Sequence, residues 1–281
     1  MMLDQRLNIF RADLADERLR GRVEADRFVA GVSAQALAPV VSVHRAPDAG
    51  AVVDTQLLFG ETVTVFEREG GWAWVQAESD CYCGYVRDTA LGAVGASTHC
   101  VVVPRTFVYP GPDRKKPMLT ALSMGSRLDI REEVENGSAR YLVTATGDAV
   151  FAAHCAPVGA AGGSDFVAIA ALFMETPYLW GGRSGFGIDC SGLVQLSMLM
   201  TGRRVSRDSD MQAQSLGAEI GPDALRRGDL VFWPGHVGIL EDAETLLHAT
   251  GFTMRVTREK LTIAIARIRA ESGDPTVYRR P

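Results

Sequence analysis

The chain has 281 residues, longer than one ordinary domain, so two or three domains are expected. Apolar residues make up 47% and charged residues 22%, the balance of a soluble globular protein, which excludes wholesale disorder and a membrane-embedded chain. The net charge of -5 argues against a nucleic-acid partner. Residues 1–30 carry charges every few positions and do not read as a signal peptide. No apolar run approaches the roughly 18 residues of a membrane span, so no membrane association is expected. Five cysteines, an odd number, fit reduced thiols in the cytoplasm better than a disulfide framework.

In chain order, residues 1–35 read as a leader, extended or partly helical, with Leu7, Phe10 and Leu14 at helical spacing before a break at Gly31. It is expected to pack on a domain surface. From residue 36 short β-rich pieces alternate with turns, at 39–43, 55–61, 62–66, 72–75 and 82–86, and predict a small β-barrel over 36–95. A looser repeat of that layout, at 99–104, 107–110, 119–122, 127–130 and 141–143, predicts a second barrel over 96–158. The small residues of 157–165 mark a linker, and a C-terminal domain occupies 159–281. There a helix at 166–173, a glycine-rich loop and a helix starting near Cys190 precede strands at 229–233, 236–240 and 245–249. That α+β order places a cysteine on a helix and two histidines on a sheet, as in a papain-like cleft.

Cys190 stands between the glycine-rich loop and an apolar-periodic segment. A thiol at a helix N-terminus feels the positive end of the peptide dipoles, so a lowered pKa is expected. His236 and His248 follow downstream and supply a base and a group to orient it, the minimum for acyl transfer through a covalent intermediate.

These residues resemble the NlpC/p60 family of bacterial cell-wall cysteine peptidases. The resemblance is carried by Pro-Tyr-Leu-Trp-Gly-Gly at 177–182, Asp-Cys-Ser-Gly-Leu-Val-Gln at 189–195 and the run 222–233 ending in Gly-Asp-Leu-Val-Phe-Trp. Gly-His-Val-Gly-Ile at 235–239 and His-Ala at 248–249 complete it. It implies Cys190 as nucleophile, His236 as general base and then acid, and His248 as the group orienting His236. The upstream barrels resemble the bacterial SH3-type modules that accompany this catalytic domain. Within the subgroup that combines them, γ-D-glutamyl-L-diamino acid endopeptidases of the dipeptidyl-peptidase VI type, the resemblance implies cleavage after γ-D-glutamate in free murein peptides. The diamino acid is diaminopimelate or lysine, the N-terminal L-Ala is free, and the setting is cytoplasmic cell-wall peptide recycling. Tyr178, Asp189, Ser191, Asp208 and Ser209 then stand where the subgroup recognises the substrate's amine and carboxylate. The same resemblance implies that the first barrel closes one end of the cleft, with Glu61 and Tyr82 expected on its substrate-facing edge. A buried ammonium needs carboxylate partners, for which Asp189, Asp208 and Glu61 are the candidates, and an acylated alanine nitrogen is rejected.

Plainer readings stand beside these. Cys190 also reads as a buried structural thiol, and His236 and His248 as satisfied strand histidines. Asp208 and Ser209 suit a helix N-cap and first turn, Glu61 a solvated turn, and Tyr82 a barrel aromatic. Trp72, Trp74 and Trp180 read as packing residues, with Trp180 alternatively walling the cleft. Cys81, Cys83 and the pairs His99-Cys100 and His154-Cys155 have poor chelating spacing, so no metal or other cofactor is expected. Two further functions fit the same chain: an exported hydrolase of intact peptidoglycan, and a catalytically inert wall-peptide-binding protein.

Overall fold

The computed structural model describes residues 3–160 and 163–281; Met1 and Met2 of the leader and Ala161 and Gly162 of the linker lie outside the described residues. Contacts divide the chain into two compact units, Met1–Val101 with Arg105–Val158, and Val102–Pro104 with Gly159–Pro281.

In the first unit the leader holds no α-helix among its described residues, against the helical spacing of Leu7, Phe10 and Leu14. Its aspartates bind nearby amides instead: Asp4 accepts from the Arg6 amide at 2.8 Å and Asp16 from the Arg18 amide at 2.9 Å. Such local bonds compete with the helical ladder. The chain forms β1 (Leu14–Asp16), which pairs in parallel with β2 (Arg27–Val29). Ile9 and Leu14 are the residues that bury, against Phe66 and Trp74. Arg11 fastens this layer: its guanidinium lies 4.2 Å from the Trp74 ring centroid, donates to the Tyr85 hydroxyl at 2.8 Å and pairs with Glu67 at 2.6 Å.

The strands that follow are β3 (Val32–Ala36), β4 (Val40–His44), β5 (Val53–Leu58), β6 (Thr62–Glu69), β7 (Trp72–Ala77), β8 (Cys83–Arg87) and β9 (Leu91–Gly92). They make one antiparallel sheet in the order β5-β4-β8-β7-β6-β3-β9. Laid flat, its edge strands would stand about 29 Å apart at normal strand spacing. Leu57 of β5 and Leu91 of β9 nevertheless share one core with Val41, Val63, Val75 and Val86, so the sheet coils on itself. It begins at Val32, earlier than the sequence boundary at residue 36, because β3 pairs with both β6 and β9. Ordinary alternation along β6 points neighbours opposite ways, so Val65 joins the inner core and Phe66 the layer under the leader.

The rest of the unit comprises β10 (His99–Val101), β11 (Arg105–Tyr109), β12 (Thr120–Ser123), β13 (Arg127–Leu128), β14 (Ile130–Asn136), β15 (Ala139–Thr144), β16 (Ala149–Phe151) and β17 (Cys155–Pro157). They form a five-stranded sheet, β12-β11-β16-β15-β14, and a three-stranded one, β13-β10-β17.

The second unit opens with α1 (Phe166–Ala171), whose N-cap Asp165 accepts from the amides of Val167 and Ala168. The short strands β18 (Arg183–Ser184) and β19 (Gly187–Ile188) then fold the glycine-rich loop back on itself ahead of α2 (Cys190–Leu199) and α3 (Ser209–Ser215). The remaining strands are β20 (Ala218–Ile220), β21 (Leu230–Trp233), β22 (His236–Leu240), β23 (Thr245–Thr250), β24 (Arg255–Lys260) and, after α4 (Leu261–Ser272), β25 (Val277–Arg280). They build a six-stranded antiparallel sheet in the order β20-β25-β21-β22-β23-β24. Leu261, Ala264 and Ile268 repeat at helical spacing and seat α4 on Val231, Trp233, Leu240 and Leu246.

Gly60 occupies a tight turn of the first unit. Its φ is +80°, and a Cβ there would come 2.4 Å from the Arg127 carbonyl oxygen, where the Arg127 amide donates to Phe59 at 2.7 Å. Gly60→Ala is expected to lower the stability of this unit by about 2–3 kcal/mol in urea unfolding. Gly70→Ala, at φ +58° with open space around it, is expected to cost about 1–2 kcal/mol.

Candidate active site

The nucleophile candidate is placed by a loop that approaches a helix very closely. The Asp189 amide donates to the Gly182 carbonyl at 3.1 Å, and a Cβ on Gly192, in the first turn of α2, would sit 2.4 Å from that same carbonyl oxygen. Only glycine permits the contact. Asp189 is the N-cap of α2, accepting from the Gly192 amide at 2.7 Å, so Cys190 falls at the first helical position.

Asp189 also receives a buried guanidinium. Arg207, with 1% of its side chain exposed, donates to the two Asp189 oxygens at 2.6 and 3.0 Å, to Ser191 Oγ at 2.8 Å and to the Gly182 carbonyl at 3.3 Å. Such bidentate pairing is the strong geometry for these two groups. It changes the sequence-based role of Asp189: the charge meant for a substrate ammonium is already neutralised from within the fold. Gln212 adds a second tie, donating to the carbonyls of Ser191 and Ser206 at 3.0 and 2.8 Å.

The histidines come from neighbouring strands. His236 opens β22 and His248 lies in β23; His236 Nε2 and His248 Nδ1 are 2.9 Å apart. Cys190 Sγ lies 4.0 Å from the carbonyl oxygen of Gly235, the residue just before His236, which sets the thiol against the start of β22. On its other side His248 Nε2 lies 2.9 Å from Glu259 Oε1 in β24, and Glu259 also pairs with Arg267 of α4. The order Cys190, His236, His248 therefore extends to a carboxylate that sequence reasoning did not single out.

Main-chain bonds join the two walls at one end. Segment 175–178 is bonded to 254–256: the Tyr178 amide donates to Met254, the Val256 amide to Thr176 and the Glu175 amide to Val256, at 2.9, 2.9 and 3.1 Å. Glu175 and Met254 adopt positive φ, 63° and 54°, and Glu175 pairs with Arg255 at 2.7 Å.

Burial decides the resting protonation. It pushes the Cys190 thiol up to about 12, with the Asp189 charge acting in the same direction and the Val237 amide, Arg207 and the Ser191 amide only partly offsetting both. This corrects the lowered thiol expected from the helix dipole: here desolvation outweighs the dipole. Burial likewise pulls His236 down to about 3, helped by His248 and Arg267 and opposed by Glu259. Both directions favour a neutral thiol beside a neutral imidazole. The Tyr178 phenol is raised by burial and then by the nearby Cys190 and Asp189, which marks it as part of this neighbourhood.

The other expected residues are placed unevenly. Ser191 Oγ donates to Asp189 Oδ1 at 3.3 Å. Asp208 takes the N-cap position of α3 and Ser209 its first position, but the Asp208 side chain makes no capping bond. Trp180 is 62% exposed, so its packing reading fails, whereas Trp72 and Trp74 are buried as expected. Glu61 and Tyr82 belong to the first unit and are each 3% exposed; Glu61 Oε2 accepts from the Leu58 amide at 2.8 Å, so Glu61 is not a solvated turn residue. Arg207, Gln212 and Glu259 were missed. The signal for Arg207 was its place beside Asp208; Glu259 is visible only once β23 and β24 are paired.

Comparison with known proteins gives a family match over the region that holds Cys190, His236, His248 and Glu259. Residues 175–268 match the NlpC/P60 family, and residues 43–91 match the bacterial dipeptidyl-peptidase Sh3 domain. The chain is 29% identical over 219 residues to a gamma-D-glutamyl-L-lysine dipeptidyl-peptidase of Bacillus subtilis, covering 70% of this chain and 72% of that protein. It is 27% identical over 203 residues to the protein of the same name from Bacillus cereus, covering 64% and 60%. The crystal structure of an NlpC/P60 family protein from Bacillus cereus superposes with a TM-score of 0.74 over 89% of this chain and 99% of that one, at 20% identity.

Two measurements check the site. Arg207→Met leaves the Asp189 carboxylate buried without its cation and is expected to cost about 3–5 kcal/mol in urea unfolding; an unchanged midpoint would deny the pair its anchoring role. Because the raised thiol stays protonated through neutrality, alkylation of Cys190 by a haloacetamide is expected to keep rising beyond about pH 9. The exposed Cys81 should label first, and a Cys190 plateau near pH 7 would reveal a preformed thiolate.

Proposed function

The chain carries an NlpC/P60 cysteine peptidase domain over residues 175–268, and from that premise we propose that it hydrolyses the γ-D-glutamyl bond to a diamino acid in free murein peptides bearing an N-terminal L-Ala. The observation that carries the reading is the 2.9 Å contact of His236 Nε2 with His248 Nδ1, with the Cys190 thiol set against the main chain at Gly235, just before His236. The names of the Bacillus relatives supply the bond. We read the catalytic domain as papain-like and the two β regions upstream as SH3-type barrels. The work is assigned to peptide recycling in the cytoplasm, where thiols stay reduced.

In this mechanism Cys190 Sγ attacks the γ-carbonyl carbon of the D-glutamate while its proton passes to His236 Nδ1. Transfer is coupled to attack because the resting pair is neutral. The oxyanion that forms is met by the amide of Cys190 at the start of α2. As it collapses, His236 returns the proton to the departing amine of the diamino acid, leaving a thioester on Cys190. Water, deprotonated by His236, then attacks the thioester; L-alanyl-D-glutamate leaves and the thiol is restored.

Recognition of the dipeptide end falls to Tyr178, Ser191, Asp208 and Ser209. With Asp189 paired to Arg207, Asp208 becomes the carboxylate of the catalytic domain assigned to the alanine ammonium. An acylated nitrogen carries no charge to offer that carboxylate, which selects against peptides still attached to glycan.

Incubation with L-Ala-γ-D-Glu-diaminopimelate, its lysine counterpart and their N-acetylated forms tests the proposal by mass spectrometry of the products. L-Ala-D-Glu is expected from the free-amine peptides, with turnover of the acetylated ones slower by about 100-fold or more. Equal turnover would end the amine-recognition claim, and activity surviving Cys190→Ala would end the mechanism.

A further inference from the structure

We propose that Glu259 is a positioning residue of this site, which sets the proton arrangement of both histidines by holding His248 in its Nε2–H form. The inference rests on the reading of Cys190, His236 and His248 given above. Its geometry is a relay across three adjacent strands. His236 is on β22, His248 on β23 and Glu259 on β24; the histidines share a 2.9 Å hydrogen bond, and the buried His248 Nε2, which has no in-line hydrogen bond among the described residues, has the Glu259 carboxylate as its neighbour at 2.9 Å. In the β23–β24 ladder His248 stands opposite Thr257 and Leu246 opposite Glu259, so Glu259 is the diagonal neighbour of His248 on the same face, within reach of long side chains.

The protons follow from the end of the chain. Burial alone pushes the Glu259 carboxyl up, but its contacts with His248 and Arg267 outweigh that and hold it at about 2, so it is an acceptor only. The His248 nitrogen beside it, Nε2, must carry the hydrogen. A neutral His248 then presents a lone pair at Nδ1, which fixes Nε2 of His236 as the donor across the 2.9 Å contact. A neutral His236 with Nε2 protonated keeps its lone pair on Nδ1, the nitrogen that takes the thiol proton. With the opposite tautomer of His248, His236 would accept at Nε2 and its Nδ1 would carry a hydrogen, leaving no base for Cys190. Arg267 keeps the carboxylate in place from α4, with its guanidinium 4.5 Å from the Phe252 ring centroid.

Glu259→Gln retains the shape and removes the obligatory acceptor. Its kcat is expected to fall about 10- to 100-fold with KM little changed, the size of effect seen when a partner that orients a functional histidine is lost. Glu259→Asp is expected to recover part of the loss, and Arg267→Met, which keeps the carboxylate, to lose less than the glutamine variant. Nitrogen-15 spectra of histidine-labelled protein are expected to show Nε2–H at His248 in the wild type and a mixture of tautomers in the glutamine variant. Wild-type kcat in Glu259→Gln, or Nδ1–H at His248 in the wild type, would overturn the proposal. The spectrum decides even where the glutamine variant does not fold. Activity surviving His236→Ala or His248→Ala in parallel would instead overturn the mechanism on which the proposal stands.

Discussion

A guanidinium sealed inside the peptidase domain, gripping the carboxylate that precedes the nucleophile, is the constraint on which the rest of the site depends. Arg207 reaches Asp189, Ser191 and the Gly182 carbonyl together, so one side chain fixes the loop, the cap of α2 and the residue after Cys190. Neither ion would tolerate the interior alone, since an uncompensated buried charge costs several kcal/mol. Paired, they fix the orientation of a helix only ten residues long, too short to hold its own direction. The same pair moderates the thiol, because Arg207 opposes the charge of Asp189 that would otherwise raise it further.

A neutral thiol beside a neutral imidazole is a particular solution to cysteine catalysis. A standing ion pair needs solvation or strong dipoles; this site is too buried for the helix start to supply them. The carboxylate beyond His248 compensates from the other side, since Glu259 is among the charges that favour protonated His236. Charge then develops as the bond forms, where fixed donors act most strongly on the transition state.

How much of this was legible in the sequence depended on whether the information was local. Alternation within β4 to β8 and the start of α2 near Cys190 could be read residue by residue, as could the cysteine and its two histidines. In the leader the helical alternative failed, because Asp4 and Asp16 take the amides two residues further on, against the helical spacing of three apolar residues. Strand β24 was missed because Arg-Val-Thr-Arg-Glu-Lys is an edge sequence, charged on its open face. Strand β25 was missed because its pairing with β20 and β21 joins segments 45 to 62 residues apart in the chain. Arg207 and Glu259 share a deeper obstacle: each looks like an ordinary surface charge until its partner, 18 or 11 residues away in the chain, is brought to it by the fold.

The bonds between 175–178 and 254–256 bear on how this enzyme meets its substrate. They cover the outer side of β24 where that strand begins, so the strand that carries Glu259 is also sewn to the chain leading into the glycine loop. Parting these two segments would have to break main-chain bonds as well as side-chain contacts. The left-handed conformations of Glu175 and Met254 mark where the chain was bent to make this seam. The spacing of nucleophile and histidines is therefore inherited from the folded backbone and stands ready before any peptide arrives.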